Sequence, residues 1–284
     1  MFVKRAGLSD TIQDSGRTGF FKYAVPRSGF MDAQSAKRAN TILGNDPNDA
    51  VLEMSIQGGI YRFDSPTFIC VSGAPMNFTL NGIHRESHCV IPVQPDDEIE
   101  FSQASEGVYT YLAVKGGFKS SVRMGSRSMH PSLFGVSRLK EGDVIEHTAI
   151  DIAPDKIVAH SGNWCRNSKI AVYPGPEFTE LKSPDQLSDL SLKVAGHNRM
   201  GIRILPSMYL HRRHSTIQSS VVFPGIVQLT PSGELIVLHR DCQVTGGYPR
   251  VLLTDEKGLN QIAQIRQGST IQFELTDLSN YLGE

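Results

Sequence analysis

The chain has 284 residues, of which 39% are hydrophobic and 20% charged, and this balance excludes intrinsic disorder and collagen-like structure. The 28 Lys and Arg side chains nearly cancel the 29 Asp and Glu side chains, leaving a formal charge of −1, so nucleic acid and anionic lipid meet no general attractive field. No apolar run reaches membrane-spanning length, and the first residues lack the apolar region of a signal peptide. We therefore expect a cytoplasmic protein that binds neither nucleic acid nor membrane.

Most of the chain has the pattern of short strands separated by turn residues. The clearest segments are rich in Val, Ile, Tyr and Phe and are bounded by turn formers: 68–73, 109–115, 169–175, 225–229, 234–240 and 269–275. Long helices do not alternate with these strands, which argues against a doubly wound fold. The sequence therefore predicts a mainly β protein built as barrels or sandwiches.

Two helices are also predicted. Asp32 is the expected N-cap of a helix over 33–43, and Gly44 is its expected C′ residue. Asn40 lies on the apolar face of this helix. A shorter helix is expected over 256–264. The inward positions are Ala36, Ala39 and Leu43 in the first helix, and Leu259, Ile262 and Ala263 in the second.

A weak internal repeat bears on the domain organisation. Segments 93–101, 139–147 and 265–273 each place a turn with Pro or Gly before an alternating strand, which suggests two related barrels. The opposing explanation is that any β protein reuses its turn chemistry. The polar stretch 160–168 marks the expected boundary, so we predict domains over 1–165 and 166–284. The stretch 181–191 fits either a short helix or a loop.

Several common catalytic motifs are absent, including the phosphate loop, GxGxxG after a strand, HExxH and GxSxG. The HRRH run (211–214) supplies too few ligands for a metal and is predicted to be a surface turn, and no metal site is expected. His197 and His239 are predicted to be structural. The cysteines form no CxxC pair and are predicted to be reduced and buried: Cys70, Cys89, Cys165 and Cys242.

Polar side chains are dense near the N-terminus. Gln13, Asp14 and Arg17 place an amide, a carboxylate and a guanidinium around a glycine, and Ser28 lies in the loop that leads to Asp32. A glycine-bearing loop before a helix offers N–H groups and a positive dipole end to an anion. The same residues fit a tight turn in which Asp32 only caps the helix, and residue types alone favour that simpler interpretation.

A second dense segment spans 240–249, directly after a predicted strand. It holds a carboxylate, a hydroxyl and a phenol beside two glycines: Asp241, Thr245, Gly246, Gly247 and Tyr248. The glycines permit either close approach to a ligand or a positive φ in a hairpin. Arg199 and Arg203 form a third candidate, because their spacing lets them share a strand face or hold an anion.

These segments carry a family resemblance. In chain order they are TIQDSGRTG (11–19), VPRSGFMD (25–32), RAN-x-x-LGN (38–45), GSRS (125–128), LKEGD (139–143), RMG-x-R (199–203) and DCQVTGGYP (241–249). Together they resemble the biotin-dependent carboxyltransferase family, which includes the C subunit of 5-oxoprolinase, the KipA-like proteins and allophanate hydrolase subunit 2. The resemblance implies two cyclophilin-like β-barrel domains with a few short helices.

The resemblance also implies a reaction and partners. It points to one component of an ATP-dependent 5-oxoprolinase that opens 5-oxo-L-proline to L-glutamate, with this chain inactive alone. The implied partners are a B subunit of the allophanate hydrolase subunit 1 or KipI-like type and an A subunit of the LamB/YcsF type. ATP with Mg²⁺ is expected at the level of the complex. The chain has no Met-Lys-Met motif, so no covalently attached biotin is expected in it.

Opening a lactam through a phosphorylated carbonyl needs cations for the phosphate, a carboxylate for proton transfer or metal binding, and amides that orient the ring. The residues named above supply these types. We take Asp32, Asp241 and Arg17 as candidate catalytic residues. The candidate substrate-binding residues are Gln13, Asp14, Ser28, Asn40, Arg199, Arg203, Thr245, Gly246, Gly247 and Tyr248.

Two departures from the family pattern leave alternatives open. Residues 129–138 hold one glycine where a glycine-rich stretch is usual, and Val244 replaces a usual threonine. One alternative is a biotin-dependent carboxyltransferase component that acts on urea or a related amide. The other is a KipA-like regulator that binds and antagonises a kinase-inhibitor subunit.

Overall fold

A computed structural model describes residues 1–135, 138–153, 169–182, 184–205 and 217–277. The predicted HRRH turn, the boundary at 160–168 and Cys165 lie outside these residues. Two compact units are present. The N-terminal unit comprises residues 1–18 and the described residues from 28 to 153, and the C-terminal unit comprises residues 19–27 and the described residues from 169 to 277. The domain bounds 1–165 and 166–284 stay a prediction.

The N-terminal unit consists of two antiparallel sheets. In chain order its strands are β1 (Phe2–Arg5), β2 (Asp10–Gln13), β3 (Val51–Ser55), β4 (Ile60–Arg62), β5 (Thr67–Gly73), β6 (Met76–Leu80), β7 (Ile83–Arg85), β8 (Ile91–Val93), β9 (Glu98–Ala104) and β10 (Tyr109–Val114). The sheets are five-stranded, in the orders β1-β4-β9-β6-β7 and β2-β3-β10-β5-β8. The strands predicted at 68–73 and 109–115 are confirmed as β5 and β10.

Apolar side chains from both sheets share one core. Along β9, Ile99 and Phe101 are buried while Glu100 is exposed, which is the alternation of a strand with one face inward. Phe101 stacks on Phe78 of β6 with ring centroids 5.3 Å apart. The second sheet contributes Ile12, Leu52, Met54, Ile69, Val71 and Leu112.

The first predicted helix is confirmed as α1 (Ala33–Ile42). Asp32 is its N-cap, and Gly44 follows the C-cap with a φ of +64°, a conformation that glycine adopts without strain. The helix packs against β5 and β10. Its predicted inward residues are fully buried: Ala36, Ala39 and Leu43.

The segment after β10 departs from the predicted repeat. A single-turn helix, α2 (Pro131–Phe134), lies in the stretch with few glycines. Residues 143–147 form no strand; Val144 makes only an isolated bridge to Phe2, while the Val3 N–H donates to the Asp143 carbonyl at 2.9 Å. The strand predicted within 139–147 is therefore wrong: backbone hydrogen bonds join this segment to residues 1–3, but they form one isolated bridge and no continuous ladder.

The C-terminal unit contains a closed barrel. Its strands are β11 (Lys169–Pro174), β12 (Leu192–His197), β13 (Gly201–Ile204), β14 (Ser220–Val221), β15 (Ile226–Leu229), β16 (Leu235–Leu238), β17 (Thr245–Gly246), β18 (Arg250–Leu253) and β19 (Thr270–Leu275). The barrel order is β11-β18-β15-β16-β13-β12-β19, and β14 pairs with β17 separately. Parallel pairing of β11 with β19 closes the ring, whereas the other barrel neighbours are antiparallel.

The second predicted helix is confirmed as α3 (Glu256–Ala263), which packs against β11. The carboxylate of its N-cap Asp255 accepts a hydrogen bond from the Gly258 N–H at 2.8 Å. Its predicted inward residues are buried: Leu259, Ile262 and Ala263. Within 181–191, residues Pro184–Asp189 form a 3₁₀ helix.

The prediction of a mainly β protein with barrel-like domains is confirmed. Cys70 and Cys242 are buried free thiols as predicted, and burial raises the pKa of each to about 12. Cys89 is also free, but its predicted burial is wrong because it lies between β7 and β8 on the surface. No helix in the described part of the chain is long and apolar enough to cross a membrane.

Candidate functional site

Asp14 ties two loops of the N-terminal unit together. Its Oδ1 accepts hydrogen bonds from the Ser126 and Ser128 hydroxyls, each at 2.6 Å, and from the Gly16 N–H at 2.8 Å. Its Oδ2 accepts from the Arg127 N–H at 2.6 Å. One half-buried carboxylate thus holds the GSRS turn against the end of β2. The structure gives Asp14 a structural task, and its role in substrate binding stays a prediction.

Gln13 and Arg17 meet the same turn. The Gln13 side-chain amide donates to Thr11 Oγ1 at 3.1 Å and to the Met129 carbonyl at 3.3 Å. Arg17 Nη2 donates to the Ser128 carbonyl at 2.5 Å. Both side chains are buried, so Arg17 contributes a fixed positive charge beneath the surface. The structure therefore brings the predicted amide, carboxylate and guanidinium together around residues 126–129.

The loop before α1 approaches this cluster closely. Gly29 has a φ of +98°, and a Cβ there would lie 3.0 Å from the Gly16 nitrogen. The Phe30 N–H donates to the Asp14 carbonyl at 3.1 Å. Ser28 has a φ of +55°, and its hydroxyl is buried with no hydrogen-bond partner within the described residues. Such a hydroxyl is costly unless water or a ligand bonds to it.

Asp32 is held at both its side chain and its backbone. Its carboxylate accepts from the Ser35 N–H at 3.1 Å and from the Ser35 hydroxyl at 2.6 Å. Its own N–H donates to the Tyr111 hydroxyl at 2.7 Å, and that hydroxyl donates to Glu53 Oε2 at 3.0 Å. Sequence reasoning missed Glu53 and Tyr111; the only signal was a glutamate between the apolar residues of β3. The capping role is confirmed, and catalysis by Asp32 stays a prediction.

Asn40 supports the loop after α1. Its fully buried side chain donates to the Asp49 carbonyl at 2.8 Å and to the Pro47 carbonyl at 3.4 Å. Its Oδ1 accepts from the Asn45 side chain at 3.1 Å. These bonds occupy both amide hydrogens and the carbonyl. The geometry therefore lends no support to the predicted contact of Asn40 with a substrate.

In the C-terminal unit the structure joins Arg199 to Asp241. Arg199 Nε donates to Asp241 Oδ2 at 2.7 Å, and Nη2 donates to Oδ1 at 3.3 Å. The Asp241 N–H donates to the Arg199 carbonyl at 2.8 Å. The two side chains are only 17% and 8% exposed, so the bidentate pair is held rigidly. The sequence placed both among the candidates but did not predict that they pair.

The two glycines after Asp241 differ in their surroundings. Neither has a positive φ, which rules out that explanation for the pair. A Cβ on Gly246 would lie 2.6 Å from Gln228 Nε2, whereas the nearest atom to one on Gly247 is Ser219 Oγ at 3.5 Å. Gly246 thus allows the buried Gln228 side chain to approach the backbone. The remaining candidates are exposed: Arg203 on β13, Thr245 on β17 and Tyr248 after it.

His197 and His239 are structural, as predicted. His239 Nε2 lies 3.1 Å from the Leu259 carbonyl, so it carries the hydrogen, while Nδ1 accepts from the Arg240 N–H at 3.0 Å. His197 Nε2 lies 2.9 Å from the Ala263 carbonyl. Burial lowers the pKa of both rings, well below its usual value for His239. Each ring thus contacts a backbone carbonyl of α3, and its lowered pKa favours the neutral form.

Comparisons with known proteins cover nearly the whole chain. Residues 23–275 match the model of the carboxyltransferase domain, subdomain A and B. The chain is 28% identical to the C subunit of 5-oxoprolinase from Escherichia coli strain K12, over 99% of this chain and 92% of that relative. It is also 28% identical to the C subunit of 5-oxoprolinase from Haemophilus influenzae, over 94% of this chain and 88% of that relative. The structure of Kluyveromyces lactis urea amidolyase is similar at 26% identity with a TM-score of 0.87, covering 96% of this chain but only 18% of that one.

Proposed function

Because the chain belongs to the family of carboxyltransferase domains with subdomains A and B, we propose that it is the C subunit of an ATP-dependent 5-oxoprolinase. The enzyme would open 5-oxo-L-proline to L-glutamate together with the A and B subunits. One observation carries this proposal. The relatives named as the C subunit of 5-oxoprolinase match over about nine-tenths of their own length, whereas urea amidolyase matches over less than a fifth.

The chemistry explains why ATP is needed. A five-membered lactam has little ring strain and a poorly electrophilic carbonyl, so phosphorylation of its oxygen would activate it. One water would then add to the activated carbon and break the C–N bond to leave a γ-glutamyl phosphate, and a second water would release phosphate as glutamate forms. The site must therefore admit these waters and exclude others. A buried guanidinium such as Arg17 and a rigidly held carboxylate such as Asp241 suit the binding of anionic groups and the movement of protons.

The described residues do not favour a Mg²⁺ site on this chain. Asp14, Asp32 and Asp241 each have both carboxylate oxygens bonded to protein donors. Within the described ranges, no group of three or more His, Cys, Asp or Glu side chains could hold a metal ion. We therefore assign ATP and its Mg²⁺ to the assembled complex rather than to a site built by this chain alone.

The two predicted aspartates would act from fixed positions. Arg199 orients the Asp241 carboxylate through two hydrogen bonds. Ser35 and the start of α1 orient Asp32. A carboxylate that is already held in position can bind or move a proton without first reorganising, so no free energy of reorganisation is added to the reaction barrier.

The direct test is glutamate release from 5-oxo-L-proline and ATP. It should be absent with this chain alone and appear when the A and B subunits from the same source are added. Turnover in the full mixture that is unaffected by omitting this chain would overturn the proposal. Absence of turnover, together with a stable complex in which the B subunit no longer inhibits a kinase, would favour the KipA-like regulator instead.

A matched pair of variants tests the assignment of Asp241. Asp241→Asn removes the charge from the bidentate pair with Arg199, and Glu177→Gln does the same to the bidentate pair with Arg250 in the same unit. We expect Asp241→Asn to lower kcat of the complex at least about 100-fold and Glu177→Gln to leave it within about twofold. Equal decreases of kcat in the two variants would show that activity falls because an ion pair is lost, and not because a reacting group is lost.

Urea carboxylation is a second candidate, favoured by the similarity to urea amidolyase. In that case the chain would pass a carboxyl group from a biotin carrier on another protein to urea or a related amide. Incubation with a carboxylated biotin carrier and either urea or 5-oxo-L-proline distinguishes the two. Transfer of labelled carboxyl to urea, without ATP-dependent glutamate release, would support this candidate over the first.

A further inference from the structure

A buried carboxylate and a buried phenol face each other inside the second sheet of the N-terminal unit. Glu53 on β3 and Tyr111 on β10 are direct register partners of adjacent antiparallel strands. Their exposures are 2% and 0%. Both side chains lie on the face of the sheet that carries α1, opposite the face that fills the core with Leu52 and Leu112.

The pair forms a continuous hydrogen-bonded path to the start of α1. The Asp32 N–H donates to the Tyr111 hydroxyl at 2.7 Å, and the hydroxyl donates to Glu53 Oε2 at 3.0 Å. The Met31 N–H donates to the same Glu53 oxygen at 2.8 Å. Burial, with help from the nearby carboxylates, holds the pKa of Tyr111 well above its usual value. The phenol therefore stays protonated and the direction of each bond is fixed.

Stability alone does not account for this arrangement. Taking a carboxylate out of water costs several kcal/mol, and a well-packed apolar pair in its place is often as stable or more so. What the polar pair achieves, and an apolar pair would not, is to fix the backbone at residues 31 and 32. Fully satisfied buried networks select one geometry of the groups that they hold.

We propose that Glu53 and Tyr111 are positioning residues that set the location of the Asp32 carboxylate for the reaction of the complex. This inference rests on the proposed 5-oxoprolinase function. Ser35 holds the carboxylate from the helix side, and Tyr111 holds the backbone of the same residue from the sheet side. Two contacts, from Ser35 and from Tyr111, therefore fix the position of the Asp32 carboxylate, and loss of either contact displaces it.

Tyr111→Phe tests the inference, because it removes only the hydroxyl and keeps the ring that packs edge-on against Phe30. We expect kcat of the complex to fall about 10- to 100-fold with KM within about twofold, as for a displaced reacting group. Glu53→Gln should give the same pattern at smaller size. The matched control is Tyr61→Phe, which removes the hydroxyl of another buried tyrosine, one that lies on β4 in the other sheet and donates to Asp10. This control should keep its kcat.

Two results would overturn the inference. The first is an equal fall of kcat in Tyr111→Phe and Tyr61→Phe, which would indicate general destabilisation. The second is independent of turnover: crystal structures of Tyr111→Phe should show the Asp32 carboxylate displaced or in two conformers, and an unmoved Asp32 would refute positioning. Wild-type complex that fails to turn over 5-oxo-L-proline would count against the proposed function, while the structural comparison still decides the positioning role.

Discussion

Asp14→Asn gives the sharpest test of how the N-terminal cluster is held. The carboxylate receives four donors, namely the Gly16 and Arg127 N–H groups and the Ser126 and Ser128 hydroxyls. In its best orientation, asparagine would keep Oδ1 as an acceptor but place an NH₂ group against the Arg127 N–H. One charged hydrogen bond is then lost and replaced by a donor–donor contact, while three others lose their ionic character.

Hydrogen bonds to charged groups contribute about 1.5–3 kcal/mol each, against about 1 kcal/mol for neutral ones. Because Asp14 is only half-buried, we take the lower end of these ranges and expect the free energy of unfolding to fall by about 3 kcal/mol. For a chain of this size that corresponds to a melting temperature lower by about 6–12 °C, measurable by scanning calorimetry.

Asp46→Asn is the matched control, because Asp46 is exposed and, among the residues that the structure describes, its carboxylate accepts only from the Asn48 N–H, at 2.8 Å. It should change the free energy of unfolding by less than about 0.5 kcal/mol. Equal melting temperatures for the Asp14 and Asp46 variants would refute the reasoning that this carboxylate holds the two loops together.

Further outcomes follow from the same contacts. Gly29→Ala should lower the free energy of unfolding by at least about 2 kcal/mol, because a positive φ is unfavourable for alanine and its Cβ would lie too close to the Gly16 backbone. An unchanged midpoint of urea unfolding would contradict this. Gly246→Ala should shift the urea midpoint and Gly247→Ala should not, since only the first meets the Gln228 side chain; equal midpoints would contradict the distances. Burial lowers the pKa of His239, so below pH 6.5 the unfolded chain takes up a proton that the folded chain does not. The free energy of unfolding should therefore fall on acidification by up to about 1.4 kcal/mol per pH unit. If His239→Gln left this pH dependence of stability unchanged, His239 would not be its source.

Local sequence signals predicted the structural features that depend only on residues close together in the chain. Asp32 and Gly44 marked the ends of α1 because a cap and a C′ glycine act within one turn of the helix. The strand expected within 139–147 failed because its partner is chosen by the fold. The segment meets residues 1–3, for example through the bridge from Val144 to Phe2, 142 residues earlier in the numbering, and no local signal encodes that pairing.

The site shows the same limit. Gln13, Asp14 and Arg17 were grouped from their proximity in sequence, but the serines that bind Asp14 come from more than 110 residues away. Glu53 and Tyr111 were missed because their contact depends on the register of β3 against β10. Sequence spacing cannot reveal a register between strands that are far apart in the chain.

The parallel pairing of β11 with β19 governs how the C-terminal barrel is made. These strands are about 100 residues apart, and β19 is hydrogen-bonded on its other side to β12. During synthesis the barrel cannot close until β19 has left the ribosome. Until then β11 and β12 each have an unpaired edge, to which strands of other chains can bind. Premature termination before residue 270 would therefore yield an aggregation-prone product rather than a smaller folded barrel, and folding of this unit should be slow for its size.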